Sequence, residues 1–79
     1  MILTLKYFGM IAETLNKSSE EMQFTAPLRV ADLKKMKESE CPALAKTDYR
    51  IAVNQVLVDT TFEINGPGEI AFLPPFAGG

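Results

Sequence analysis

Four stretches of the chain are rich in apolar residues and are predicted to be strands, whose side chains point alternately to the two faces of a sheet. These stretches are residues 2–8, 20–25, 50–58 and 69–73. Within the third, Asn54-Gln55 predicts a two-residue hairpin turn that pairs Val53 with Val56. If the first and last strands are neighbours at the centre of the sheet, they run parallel, because a long excursion of the chain connects them.

Two other stretches carry apolar residues at helical spacing instead. They predict a short helix over residues 10–15 and a main helix over about 30–40, which Cys41-Pro42 ends. The lysines of the main helix, predicted to form a solvated face, are Lys34, Lys35 and Lys37. Because strands outnumber helices and one main helix must cover one face of the sheet, the fold class predicted is α+β with a mixed sheet.

Strand parity decides which apolar residues face away from the main helix. In the hairpin, the residues expected on the core face are Ile51, Val53, Val56 and Val58, while Ala52 and Leu57 point outward. The outward apolar residues that predict a partner-binding patch are Phe8, Leu57, Leu73 and, beyond the last strand, Phe76. The alternative, that a loop or helix covers them, stays open at this point.

Composition excludes most catalytic chemistry. The 79 residues fit one small domain with a net charge of −2, no histidine and one cysteine. Ser-His and Cys-His pairs are therefore excluded, no metal site is expected, and Cys41 is interpreted as a passive hydrophobic residue. The carboxylates expected to be solvated, and therefore without a general-acid role, are Glu20, Glu21, Glu38 and Glu40.

The same features limit the expected partners and location. Scattered basic residues and the net negative charge argue against nucleic-acid binding. A signal peptide and a membrane-spanning run are not recognisable, and a lone cysteine fits a reducing compartment, so we expect a cytoplasmic protein without membrane contact.

The final stretch divides the chain into a predicted domain, residues 1–73, and a tail, residues 74–79. The tail reads Pro74-Pro75-Phe76-Ala77-Gly78-Gly79. Proline ends a strand because it cannot donate to the ladder, and glycine makes the tip as thin as a polypeptide can be. Six extended residues reach about 19 Å, so the tail is long enough to bring the carboxylate of Gly79 into another protein's site.

These residues together resemble the small, sulfur-carrier subunit of molybdopterin synthase. The segments that carry the resemblance are Ile51-Ala52-Val53-Asn54-Gln55, Glu69 to Pro75, and Gly78-Gly79. It covers essentially the whole chain, and the ending Pro-Pro-x-x-Gly-Gly is its most specific part. The thiamine sulfur carrier shares Gly-Gly but usually lacks Pro-Pro.

The resemblance implies a ubiquitin-like β-grasp fold. It further implies that a separate E1-like enzyme adenylates Gly79 with ATP, and that the carboxylate then becomes a thiocarboxylate. The tail would enter a large catalytic subunit, where the sulfur builds the dithiolene of molybdopterin from a pterin precursor, and this chain itself binds no cofactor.

In the family, apolar residues on the outer sheet face dock the partner, and Phe8 and Leu57 match such positions. Leu73 stands where the family often has Phe, and the arginine common after the first strand is missing from Phe8 to Glu13. The other functions considered are a sulfur carrier for thiamine or RNA thiolation, a ubiquitin-like modifier, and an interaction domain with an inert tail.

Overall fold

The chain folds around a five-stranded mixed sheet in the computed structural model, which describes residues 1–75. In chain order the elements are β1 (Ile2–Tyr7), α1 (Met10–Leu15), β2 (Ser19–Gln23), β3 (Leu28–Arg29), α2 (Val30–Glu40), a 3-10 helix (Pro42–Lys46), β4 (Arg50–Val53), β5 (Val56–Val58), β6 (Glu63–Ile64) and β7 (Gly68–Leu73). The strand order is β2-β1-β7-β4-β5, and β3 pairs separately with β6. The α+β class and both predicted helices are confirmed.

The two central strands, β1 and β7, run parallel, as the sequence predicted. Leu5 lies opposite Ile70 and Tyr7 lies opposite Phe72, so the inward residues of both strands form one apolar strip. Every other pair in this sheet is antiparallel. The pairing places the end of β1 beside the end of β7.

Helix α2 covers one face of the sheet and completes the core. Val30 and Leu33 of the helix are fully buried, as are Ile70 and Phe72 of β7. The Phe72 ring contacts Tyr7 edge to face, with centroids 5.2 Å apart, and stacks on Tyr49 at 5.7 Å. Such aromatic contacts add to the area that the rings bury.

The segment after β5 does more than connect strands, which the sequence did not predict. Helix α2 begins without a side-chain cap. The amides of Val30 and Ala31 donate instead to the carbonyls of Phe62 and Thr60, at 2.9 and 3.0 Å. The short β3–β6 pair holds this segment at the helix N-terminus, and it satisfies backbone donors that a Ser or Asp cap normally satisfies.

The hairpin register is confirmed, but its predicted core face is partly wrong. Val53 pairs with Val56, and Ala52 pairs with Leu57. Val56 is nevertheless 63% exposed, because β5 is a three-residue strand at the sheet edge. Ala52 is only 4% exposed, since its methyl group lies between Ala71 on β7 and Leu57 on β5.

The prediction that all the helix lysines are solvated is wrong for Lys37, which is 1% exposed. Its Nζ lies 2.8 Å from Oε2 of Glu20 on β2 and 3.3 Å from Oε2 of Glu40. The Tyr7 hydroxyl donates to the same Glu20 oxygen. Lys37 lies seven residues after Val30, on the buried stripe of the helix, so its ammonium group must find a partner inside the fold.

Glu20 is likewise not the solvated carboxylate that the sequence predicted. Burial alone would raise its pKa, but hydrogen bonds from Lys37, Tyr7 and Lys17 outweigh burial and lower the pKa from 4.5 to about 2. A carboxylate with this pKa stays ionised at neutral pH. It therefore ties edge strand β2 to helix α2 instead of acting as an acid.

We expect Glu20→Gln to lower the free energy of unfolding by about 2–4 kcal/mol, because it leaves the buried ammonium of Lys37 with only the Glu40 carboxylate. The pKa of Glu20 is lower in the folded state than in the unfolded state. Its stabilisation is therefore complete above about pH 4.5 and is lost as the pH falls toward about 2. Urea unfolding across this pH range measures both effects.

The matched control is Glu21→Gln, because Glu21 is exposed and lies one residue away on the same strand. It should change the free energy of unfolding by about 0.5 kcal/mol or less. An equal loss in both variants, or an unchanged acid dependence in Glu20→Gln, would contradict the assigned role of Glu20.

Candidate docking surface and tail exit

The face of the sheet opposite α2 carries a continuous apolar surface. We call it the outer patch, and its residues are Phe8, Ala52, Leu57, Ala71 and Leu73. Phe8 is 44% exposed and Leu57 is 52% exposed. The alternative that a helix or loop of the described chain covers these two side chains is therefore wrong.

The strand register explains the shape of the outer patch. Ala71 lies opposite Ala52, and Ala52 lies opposite Leu57 on the edge strand. At the end of β7, Leu73 is half-buried and lies opposite Arg50. Two small side chains at the centre, with larger ones at both sides, form a shallow surface that is suited to a protein partner.

Charged groups border the outer patch. Lys6 on β1 lies opposite Ala71 on β7, and the Nζ of Lys6 is 2.9 Å from a carboxylate oxygen of Glu69. Arg50 is exposed beside Leu73, and no carboxylate within residues 1–75 lies close enough to form an ion pair with it. The border at Arg50 thus offers a cation to a partner.

The chain leaves the domain at one side of the outer patch. The amide of Phe8 donates to the carbonyl of Phe72 at 3.2 Å, which holds the two strand ends together. Strand β7 ends at Leu73, and the ring of Pro74 then lies against Gly9. No pattern within the chain indicated the contact of Gly9 with Pro74.

Four of the predicted site residues lie outside the described residues. They are Phe76, Ala77, Gly78 and Gly79. The predicted partner-binding residues that the structure does describe are Phe8, Leu57 and Leu73. They lie on one face of the sheet, and Pro74-Pro75, the beginning of the tail, follows directly after Leu73.

The two buried tyrosines of the core have raised pKa values, so both stay protonated at neutral pH. Burial and the hydrogen bond to Glu20 raise the pKa of Tyr7, and burial and Glu38 raise that of Tyr49. Cys41 is half-buried, with its Sγ 3.7 Å from the carbonyl oxygen of Thr14. These groups serve packing, and none of them lies on the outer patch.

Residues 1–75 contain no cluster of His, Cys, Asp and Glu side chains that suits a metal ion. In the same part of the chain, no helix has the length and hydrophobicity needed to cross a membrane.

A sheet of this order packed against one main helix defines the class of protein, a ubiquitin-like β-grasp domain. The chain belongs to the ThiS family, which matches residues 5–79, and within it the chain is a small sulfur-carrier protein. No curated protein matches the chain significantly.

Solved structures with the same fold come from several organisms. A Pyrococcus furiosus protein described as molybdopterin converting factor subunit 1 has a TM-score of 0.86 and 21% identity, over 96% of this chain and 99% of that one. The small archaeal modifier protein 1 of Haloferax volcanii has a TM-score of 0.79 and 16% identity, over 95% and 98%. A chain in the complex of subunits 1 and 2 of the molybdopterin-converting factor from Helicobacter pylori 26695 has a TM-score of 0.68 and 21% identity, over all of both chains. At these identities the likeness establishes the fold.

Proposed function

We propose that the chain is the small subunit of a molybdopterin synthase and delivers sulfur on the carboxylate of Gly79. One observation carries the proposal: a tail with the sequence Pro-Pro-Phe-Ala-Gly-Gly leaves the domain directly beside an exposed apolar patch. A docking surface next to a narrow tail that ends in a carboxylate suits a protein whose terminus reacts inside another protein. The family match extends through Gly79 and supports this assignment.

The proposed chemistry begins on a separate, E1-like adenylating enzyme. A carboxylate is a poor acyl electrophile, because neither oxygen is a good leaving group. A Gly79 oxygen attacks the α-phosphate of ATP, pyrophosphate leaves, and an acyl-adenylate forms. A persulfide on a sulfur donor then displaces AMP and forms an acyl disulfide. A second thiol attacks the donor's sulfur, so that a disulfide forms between these two thiols and a thiocarboxylate is released on Gly79.

The sulfur then passes to a pterin precursor in the active site of a large subunit. The thiocarboxylate sulfur bonds to a carbon of the precursor while a C–O bond at that carbon breaks and its oxygen leaves. Hydrolysis of the resulting thioester leaves the sulfur on the precursor and returns the carboxylate of Gly79. Two such transfers supply the two sulfurs of the molybdopterin dithiolene. ATP is bound by the activating enzyme in this scheme, and the described residues of this chain supply docking and positioning.

The outer patch is the proposed docking site for the large subunit. Phe8 and Leu57 supply exposed apolar contacts, and the small Ala52 and Ala71 let a partner approach the sheet between them. The complex of subunits 1 and 2 from Helicobacter pylori supports a partner of this kind, because its small chain shares this fold. The ATP requirement and the lone cysteine favour the cytoplasm as the site of this pathway.

A second candidate is a ubiquitin-like modifier, whose activated terminus acylates lysines instead of accepting sulfur. The fold shared with the small archaeal modifier proteins favours it. A sulfur carrier for thiamine or RNA thiolation uses the same activated terminus. Co-purification with a pterin-binding large subunit, with a thiazole synthase, or as isopeptide adducts separates these functions.

We expect Gly79 to exchange one carboxylate oxygen for sulfur when the protein is incubated with ATP, its adenylating enzyme and a sulfur donor. Intact-mass spectrometry detects the mass increase, and fragmentation locates it at residue 79. A variant lacking Gly79 should show no exchange, while its thermal stability should match that of the full chain. Absence of exchange in the full chain would refute the carrier function.

Leu57→Asp should weaken binding to the large subunit by about 2 kcal/mol or more, roughly 30-fold in Kd, because it places a charge within an apolar interface. Calorimetric titration measures the affinity. The matched control is Val56→Asp, since Val56 is also more than half exposed on the same edge strand but faces away from the outer patch. Equal weakening by both substitutions would argue against docking through the outer patch.

A further inference from the structure

The loop between β1 and α1 meets the beginning of the tail at a single residue, Gly9. Its backbone lies at φ 58° and ψ −136°, a conformation that residues with a side chain rarely adopt. Neighbouring hydrogen bonds hold it there: the amide of Phe8 donates to Phe72, and the carbonyl of Gly9 accepts from the amide of Ala12 at 3.1 Å. Gly9 is therefore a fixed point between the central strand and helix α1.

Pro74 lies against the side of Gly9 where a side chain would project. A methyl group at this position would lie 3.2 Å from Cγ of Pro74, 3.7 Å from its Cβ and 3.9 Å from its Cδ. Three ring atoms thus occupy the space next to the bare backbone. The first distance is shorter than an ordinary van der Waals contact, so a side chain at residue 9 would displace the ring.

The position of Pro74 matters because it is the first residue after the sheet. The φ angle of proline is fixed near −65°, so the position of the ring largely determines the direction in which the chain continues. An extended tail of six residues is about 19 Å long, so a tilt of about 10° at its root moves its tip by about 3 Å. Displacements of about 1 Å at a reacting group can cost a factor of about 100 in rate.

We infer that Gly9 is a positioning residue for the tail: it is the side-chain-free seat of Pro74, and it sets the direction in which the carrier terminus leaves the domain. The inference rests on the proposed function for its catalytic consequence, but the seat itself is a property of the fold. Gly9 also faces the tail from the loop that carries Phe8, so one short segment both contributes to the outer patch and directs the terminus.

The test is Gly9→Ala, assayed by sulfur transfer from thiocarboxylated protein to the pterin precursor on the large subunit. We expect kcat to fall by about 10- to 100-fold. The Kd for the large subunit should stay within about twofold, because the outer patch is unchanged. This separation of rate from affinity distinguishes positioning from a general loss of structure.

Two other glycines provide matched controls. A methyl group on Gly68, at the opposite end of β7, would lie 2.6 Å from Oδ1 of Asn54, so Gly68→Ala strains the fold without contacting Pro74. A methyl group on Gly66 would meet nothing within 4 Å, so Gly66→Ala should be neutral. If Gly68→Ala lowers kcat as much as Gly9→Ala does at equal stability, the inference is wrong.

A second variant keeps the test decisive if Gly9→Ala folds poorly. Pro74→Ala removes Cγ and Cδ, the ring atoms nearest and third nearest to the added methyl group, and leaves the backbone of Gly9 unchanged. It should lower kcat on its own, and the further loss caused by Gly9→Ala should be at least threefold smaller in this background. If the losses in kcat caused by the two substitutions were fully additive, the inference that Gly9 positions Pro74 would be wrong.

Nuclear magnetic resonance tests the seat independently of sulfur chemistry. In the unsubstituted protein, nuclear Overhauser effects should connect the Gly9 Hα protons with the ring protons of Pro74. In Gly9→Ala, the Pro74 signals should shift while those of Ile64 in the core stay in place. Unchanged Pro74 signals would refute the inference even if Gly79 carries sulfur. A failure of Gly79 to accept sulfur would refute the proposed function and leave this readout intact.

Discussion

The parallel pairing of β1 with β7 is the interaction on which the rest of the structure depends. It joins the first and last strands at the centre of the sheet, and their inward side chains, with Phe72 between two tyrosine rings, form the middle of the core. The same pairing brings the end of β1 beside the end of β7. Phe8 and Gly9 therefore lie next to Leu73 and Pro74, although more than 60 residues separate them along the chain.

That arrangement connects stability to the proposed function. The tail follows β7, the middle strand of the sheet, where neighbouring strands on both sides hydrogen-bond to the backbone. Phe8 and Leu73 of the outer patch lie at the same point, so in the proposed function a partner bound to the patch meets the start of the tail. Pre-positioning of this kind reduces the entropy that a terminus loses when it enters an active site.

The helix-covered face shows how a small domain accommodates charge. Lys37 occupies a position on the buried stripe of α2, and its ammonium group is satisfied by Glu20 and Glu40. The Tyr7 hydroxyl and Lys37 both donate to the Glu20 carboxylate, so one network joins helix α2, strand β1 and the edge strand β2. An unpaired ammonium group there would cost several kcal/mol, which makes the network a condition for the burial of Lys37.

The sequence by itself determined the local structure: both helices, the hairpin register and the outward direction of Phe8 and Leu57 follow from periodicity and turn residues, which act over a few neighbours. The resemblance to sulfur carriers was also recognisable from the sequence, because the tail motif consists of consecutive residues. Only the tertiary structure decided the exposure of Val56, the burial of Lys37, the capping of α2 by the carbonyls of Thr60 and Phe62, and the contact of Pro74 with Gly9. Each of these features depends on contacts between segments that are distant in the chain. The residue pattern of one element does not specify which distant group will pack beside that element. Glu20 lies two residues before Met22, which packs against the core, so both side chains lie on the same face of β2. This was one sequence signal that Glu20 pairs inside the fold. Only the position of α2 across the sheet identified Lys37 as its partner.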